Sequence, residues 1–445
     1  MNNQQCARKQ RGQILLFVTF AAIPMFAMIG LVTDLGYMQY VKKSTQAAAD
    51  AAARAAIIQF HGSNYGSSYS CGGSVVCQAT PQYCDPTMTT PSNAIDNGCL
   101  YAKQNGFIHS STQDVTYVSG TSASPPTVAG LSSASYWVTF RVTQIVPQLF
   151  SAAAGNMSGM VTSRATAAVT GSRDCIYALN PGAIDVSVGG TASLTSACGL
   201  YVDSSNAAAI STNGSATLSA TEYNVVGGTS THVPLTPTPN TGVSPAADPL
   251  AGLPAPSSGP FTCDYKNYNA PNWSNPTLSP GVYCGGIQVK NNNYTFNPGN
   301  YILVGGGLTT QDSNSNIAGS GVMIYNTFGA TDKGLQAYSP ISIAATSTVN
   351  LTAPTSGTYT GILFFADRGA PTGNPDNYGG GSSAVYQGAI YNKNNGITMD
   401  GNSSVNAAYT IIVADTITMI GTSGLNDNYS SLTGGSPIKQ VALVE

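Results

Sequence analysis

The chain has 445 residues, of which only 8% are charged, and its formal net charge is −3. Soluble domains usually carry about 25% charged residues, and here Gly, Ser, Thr, Asn and Ala fill the deficit, a composition of many short strands and turns. The length implies two or three folded units, and without a basic field to neutralise phosphates nucleic acid is not an expected partner.

The first element is an uncharged apolar run, Ile14 to Thr33, preceded by Arg8, Lys9 and Arg11 and followed at once by Asp34. About 20 apolar residues suffice to span a bilayer as a helix, and Pro24 within the run is better tolerated in lipid than in water. The positive-inside bias puts the N-terminus in the cytoplasm and the rest of the chain outside it, with Lys42 and Lys43 on the other side but further from the boundary. A cleaved secretory signal is the competing reading. The run exceeds the roughly 7–15 residues of a signal core and no clean small-x-small site follows it directly. Helix formers continue past Asp34, with Asp50 and Arg54 in the favourable acid-first i, i+4 order. A helix from about Gln13 to Gln59 is expected, half in lipid and half beyond it. The alanines of "STQAAADAAARAA" would allow a neighbouring backbone to come close.

The ordered series Arg11-Gly12-Gln13, the apolar run with Pro24, Gly30, Asp34-Leu35-Gly36, Gln46 and Ala48-Ala49-Asp50-Ala51-Ala52 resembles the N-terminal segment of TadE/TadG-like proteins of the Flp (tight adherence) pilus system. The resemblance covers about the first 60 residues and implies an envelope-anchored component or accessory of pilus assembly, with Arg11, Gly12, Asp34, Gly36, Gln46, Ala49 and Asp50 as its anchor motif. Prepilin-type substrates carry a glutamate five residues after the processing glycine, where this chain has Phe17, so a retained anchor is expected. TadG relatives with a von Willebrand-type A domain carry an Asp-x-Ser-x-Ser metal motif. The nearest match, Asp185-Val-Ser187-Val-Gly189, lacks the second Ser, and no metal site is expected.

Residues 61–90 read as a Ser/Gly/Tyr/Cys loop, followed by a short helix capped at Ser92 or Asn93 and stopped at Asn105-Gly106. "DVTYV", "SYWVTFRVT" and "MVTSRATAAVT" alternate as strands, with a helix or turn in "VPQLFSAAAGNMSG". Residues 61–172 are thus expected to form a small α/β, pilin-like module on the long helix. After Cys6, the remaining cysteines comprise a local cluster (Cys71, Cys77, Cys84, Cys99) and two later pairs (Cys175/Cys198, Cys263/Cys284). They read as disulfides of an oxidising compartment. The rival zinc site lacks any C-x-x-C knuckle.

From 173 onward the chain is a succession of short apolar runs separated by Gly, Asn, Ser and Pro. The fold class expected is mainly β, with residues 173–445 forming a right-handed parallel β-helix. A β-sandwich or jelly roll is the alternative. The Pro-rich insert 229–260 is either an excursion from the stack or a linker between two stacks.

Chemistry is thinly signalled. His61, His109 and His232 sit in turn-like or Pro-rich surroundings without a recurring acid partner, and Asp312 and Asp400 read as turn residues. The best polar cluster is Asp367 and Arg368 with Asp376, a carboxylate pair beside an Arg that a polysaccharide lyase or hydrolase could use. The bland reading is an Asp-Arg corner and an Asx turn. Tyr265, Tyr268, Trp273, Tyr378 and Tyr386 cluster at the Pro-rich insert and at a second long insert, "DRGAPTGNPDNYGGGSSA", and could stack on sugars. The leading expectation is a non-catalytic envelope protein without cofactor or metal. It would be single-pass in the inner (cytoplasmic) membrane, with its bulk periplasmic or extracellular, and would meet pilin-like or other Tad-system membrane proteins. A surface adhesin binding polysaccharide or another surface ligand is the second reading, and a polysaccharide-cleaving enzyme the third.

Overall fold

The computed structural model describes residues 4–63, 69–124, 134–155, 157–257, 259–380, 384–400, 404–405, 410–421, 424–427 and 436–443, with side chains except at 4–17, 19, 23–24, 26–27, 153–154, 404–405 and 424–427. Two units are formed, one from residues 1–64, 69–170 and 441–445 and the other from 65–68 and 171–440.

The first unit is built on one helix, α1 (Gln4–Ser63). Ala48, Ala49, Ala52, Ala53, Ala56, Ile57 and Phe60 are fully buried on it, so the alanine-rich half is the core of its own module. The close backbone approach expected of these alanines is made within the chain, where α2 (Ala94–Gln104) and an antiparallel sheet cover them. Asn93 caps α2 by accepting the Asp96 N–H at 3.0 Å, and Gly106 takes the left-handed turn after it.

The sheet contains β1 (Gln78–Tyr83), β2 (Gln113–Thr121), β3 (Tyr136–Pro147) and β4 (Ser158–Gly171), with the last strand, Lys439–Leu443, beyond β4. Strand periodicity turns Tyr136, Val138, Phe140 and Val142 of β3 towards the alanines. Phe60 stacks on Tyr136 with ring centroids 3.7 Å apart. β1 lies in a stretch whose sequence reads as loop. Antiparallel pairing with β2 and the Cys71–Cys77 and Cys84–Cys99 bridges on either side of it hold a segment with no apolar alternation, and Pro81 is tolerated on an edge strand.

The second unit is a set of parallel ladders. Ile176 pairs with Leu200 and Leu200 with Tyr223, each one coil further along. A second ladder runs Ile397, Ile417, Val186, Ile210 beside Met399, Met419, Val188, Thr212. Apart from the small hairpin Gly329–Thr331/Gly334–Gln336, the pairs described in this unit are parallel. A sandwich or jelly roll of hairpins does not produce that pattern.

The order of coils in space is not their order in sequence. One ladder of strands runs from Tyr265–Asn269 through Gly281–Val289, Gly299–Val304, Val322–Thr327, Ile362–Ala366, Val385–Asn392 and Thr410–Ala414, then on to Asp174–Ala178, Gly199–Val202 and Tyr223–Val225, ending at Asn240–Thr241. The chain therefore enters in the middle of the stack, runs to one end, and begins again at the other. The Pro-rich segment is the return strap. Tyr201 donates to the Ser244 carbonyl at 2.6 Å, the Ala246 N–H donates to Asp203 at 2.7 Å, Tyr391 donates to Asp248 at 2.7 Å and Tyr359 to the Pro254 carbonyl at 3.1 Å. The Cys175–Cys198 and Cys263–Cys284 bridges each join neighbouring coils.

Stacking also accounts for the scarcity of charge. Asn293 donates to Asn275 at 3.1 Å and Asn316 to Asn293 at 2.7 Å; Thr217 bonds Ser193 and Thr352 bonds Ser320 in the same way. Identical amides and hydroxyls satisfy one another up a parallel ladder, whereas like charges placed directly opposite repel.

Candidate functional site: the junction of helix and hairpin

The motif residues of α1 converge where the module meets the helix. Asp34 is buried, and its carboxylate accepts the backbone N–H groups of Leu149 (3.0 Å), Phe150 (3.1 Å) and Ser151 (2.7 Å) and the Ser151 hydroxyl (2.8 Å). These are donors at the start of the 3-10 turn Ser151–Ala154, which connects β3 to β4. The Ser151 N–H first, then its hydroxyl and the neighbouring N–H groups, hold the Asp34 carboxyl below the usual carboxylate range against the opposing effect of burial. One turn earlier, Gly30 lies under Phe150 so closely that a Cβ there would stand 2.5 Å from the Phe150 Cβ. Further along, Thr45 and Ser163 share a buried hydrogen bond of 2.8 Å. Gln46 donates to Asp50 at 2.8 Å and to the Arg164 carbonyl at 3.0 Å.

Asp34 and Gln46 thus fasten α1 to the β3–β4 connection and to β4, with Asp50 accepting from Gln46 along the helix and Ala49 buried in the core of the module. Gly36 is exposed with open space where a Cβ would be, and the side chain of Arg11 and the surroundings of Gly12 lie outside the described residues. So do the side chains of Phe17, Pro24 and much of the apolar run. Among the described residues no helix is long and apolar enough to cross a membrane. On the described part of α1, Phe20, Met28, Leu31, Val32, Leu35 and Tyr40 are exposed.

The polar cluster of the β-rich unit has its atoms committed elsewhere. Asp367 accepts from Tyr325 (2.9 Å), from Thr327 and from the Gly369 N–H (2.8 Å), the Asx turn read from the sequence. Arg368 donates to the Tyr391 hydroxyl at 2.8 Å, to the Leu253 carbonyl at 2.9 Å and to the Leu250 carbonyl, and its guanidinium lies over the Phe365 and Tyr391 rings. It clamps the return strap. Asp376 is buried and accepts from the Ile341 N–H, Asn392 and Tyr378. Among the described residues no group of His, Cys, Asp and Glu could hold a metal ion.

The aromatic set is divided. Tyr378 and Tyr386 are 1% and 0% exposed and cannot meet a sugar, because their rings fill the stack beside Phe364. Tyr265 and Tyr268 pack on Tyr283, leaving Trp273, 64% exposed, as the open ring of the five. His109 does have an acid partner: its Nδ1 lies 2.8 Å from Asp114, five residues on, but both side chains are nearly half exposed, where such pairs contribute little.

Among the described residues burial pushes the carboxyls of Asp174, Asp185, Asp203 and Asp376 upward. Asp376 rises to about 6, opposed by its three hydrogen bonds, and Asp185 rises to about 8, opposed by the Ser204 N–H and reinforced by the charges of Asp415 and Asp203. An acid with a folded pKa above its unfolded value binds its proton more tightly when folded. Its stabilising effect is therefore full below the ordinary value of 3.8 and is lost as pH rises through 6 and then 8. Thermal unfolding of the β-rich unit is expected to occur at higher temperature at pH 5 than at pH 8.5, by on the order of 2–4 kcal/mol of stability. Asp185→Asn should flatten that slope, and a midpoint equal or higher at pH 8.5 would contradict the assignment.

No curated protein and no solved structure matches the chain. A family model described as Tad, "Putative Flp pilus-assembly TadE/G-like", matches residues 12–59. That span contains Asp34 and Gln46, whose bonds fasten the junction, together with Ala49 and Asp50. The chain therefore carries at its N-terminus a TadE/G-like domain, which supports involvement in Flp pilus assembly.

Proposed function

We propose that the protein is a non-catalytic, envelope-anchored component of Flp (Tad) pilus assembly, held by residues 14–33 in the inner membrane with its N-terminus in the cytoplasm. The exported part is a pilin-like module followed by a parallel β-helix that serves as spacer and contact surface towards other Tad-system proteins. One observation carries this reading. α1 is buried by its own module from about Val41 onward and, before that, at Gly30 and Asp34 under the β3–β4 connection, while residues 14–33 carry no charge and present exposed apolar side chains such as Phe20, Met28, Leu31 and Val32, as a lipid-embedded helix requires. The parallel ladders and the coil-to-coil Asn and Ser/Thr bonds support the β-helix reading. The occupied hydrogen bonds of Asp367, Arg368 and Asp376 favour a structural over a catalytic role. A surface-binding role rests on Trp273.

The test compares the full chain with one in which a cleavable export signal replaces residues 1–33. The full chain is expected in the membrane fraction, with its β-rich unit protease-accessible from outside the cytoplasm, and the shortened chain in the soluble exported fraction. Loss of pili in a strain lacking the protein should be reversed by the full chain alone. Recovery of the full chain in the soluble fraction, or full rescue by the shortened one, would overturn the proposal.

A further inference from the structure

The β3–β4 connection sits on α1 at the level where the apolar run ends. Between Arg141 and Arg164 the sequence has no charged residue. Within it Leu149 is 71% exposed, Met157 77% and Met160 70%, with Phe150 and Ile145 also exposed. On α1 beside this connection lie Leu31, Val32 and Leu35, all exposed, and then Tyr37 and Tyr40 with stacked rings, 6.4 Å between centroids. The first cations are Lys42 and Lys43, about 12 Å beyond Asp34 along the axis at 1.5 Å per residue. The charge between them and the apolar run, Asp34, is buried and turned into the connection, where three N–H groups and a hydroxyl satisfy it.

We propose that this connection is a second membrane-contacting element, a loop whose Leu149, Phe150, Met157 and Met160 enter the boundary between headgroups and acyl chains on the outer side of the inner membrane. The inference rests on the anchor reading and adds to it a depth and an orientation. Four features select a lipid surface as the occupant. The apolar surface of the loop is continuous with that of the proposed anchor. The sequence between the flanking Arg141 and Arg164 carries no charge, so the loop itself brings none into the interface. Tyrosines followed by lysines are the residues found at a membrane–water boundary. Asp34, the one carboxylate at this level, is screened by loop donors, so no bare charge is carried into the interface. Asp34 then acts as a positioning residue, fixing the loop at the depth where the apolar run stops.

The experiment uses the full chain in vesicles of phosphatidylethanolamine and phosphatidylglycerol, with and without brominated acyl chains. Single tryptophans are added at Met157 or Leu149 in the loop, at Phe20 in the anchor and at Tyr101 on α2, and each signal is read as the difference from the parent. Expected is at least a twofold quenching by bromine for Met157→Trp, Leu149→Trp and Phe20→Trp, and none for Tyr101→Trp. Quenching at Phe20→Trp with none at either loop position would overturn the inference, leave the anchor standing and assign the apolar loop to a protein partner. No quenching at any position would overturn the anchor and the inference together.

Discussion

Gly98→Ala is expected to lower the stability of the N-terminal unit by about 2 kcal/mol, and Gly98→Val by 3 kcal/mol or more. On helix propensity alone the alanine variant should gain about 1 kcal/mol. Geometry decides against it. A Cβ at Gly98 would lie 2.5 Å from the Phe140 Cζ and 2.7 Å from the Ala52 carbonyl oxygen. A ring tip can turn aside, but a backbone carbonyl in the middle of α1 cannot, so α2 must move off the alanine face and open the core formed with Ala49, Ala52 and Ala53. Trp137 lies on β3 of this unit, so denaturation followed by its fluorescence reports the loss. A midpoint unchanged or raised in Gly98→Ala would show that the helices are less closely apposed than described.

Arg368→Ala is expected to release the return strap and to cost the β-rich unit about 3 kcal/mol. Three hydrogen bonds from one cation are lost, each worth roughly 1–3 kcal/mol where the donor is charged, together with stacking on two rings. Arg368→Lys should not restore it, because an ammonium cannot reproduce a planar fork that reaches two carbonyls and a hydroxyl at once. Limited proteolysis provides the readout. Cleavage between 231 and 260 should become rapid in Arg368→Ala while the parent remains intact. Equal resistance in both would mean that Tyr201, Asp203, Tyr359 and Tyr391 hold the strap unaided. A catalytic arginine would have the opposite signature, with activity lost and the strap still protected.

The parts of the fold legible in the sequence are those set by local chemistry. Asn93 and Gly106 mark the ends of α2, and the alternation in "YWVTFRVT" gives β3 its inward face. The cysteines pair within short distances along the chain. The direction of the strands in the β-rich unit follows from runs too short and too Asn/Gly-punctuated for sandwich strands. Even its internal repeat is written out, in Ile397-Thr398-Met399 and Ile417-Thr418-Met419, which lie in register one coil apart. Which coil neighbours which is not legible, because alternation specifies inside and outside but carries no information about distant partners. Aromatics misled for a related reason. A buried tyrosine in a β stack can be satisfied by a nearby carbonyl, as Tyr386 is by Gly379 at 2.6 Å and Tyr301 by Asn297 at 2.9 Å, so in composition it looks the same as a surface platform. The alanine-rich helix was legible as a close-contact surface, but not as one already occupied, since its partner residues lie from α2 onward. The acceptor role of Asp34 left no local signal either, because its donors, backbone N–H groups and the Ser151 hydroxyl, lie more than a hundred residues away.

The order of coils has a consequence for how the molecule is made. Residues 174–241 are synthesised first, yet their lower neighbour is the strand Thr410–Ala414, and Asn180 closes on Asp415, 235 positions later. Until nearly the whole chain has emerged, that first group of coils presents an open parallel edge with nothing to pair with. Contacts this distant in sequence make for slow assembly, and unpaired edges make for aggregation in the interval. The seam also makes completeness a condition of order: a chain interrupted before residue 410 leaves a gap in the middle of the stack, not a shortened end, so a truncated product carries an exposed defect that proteases can recognise.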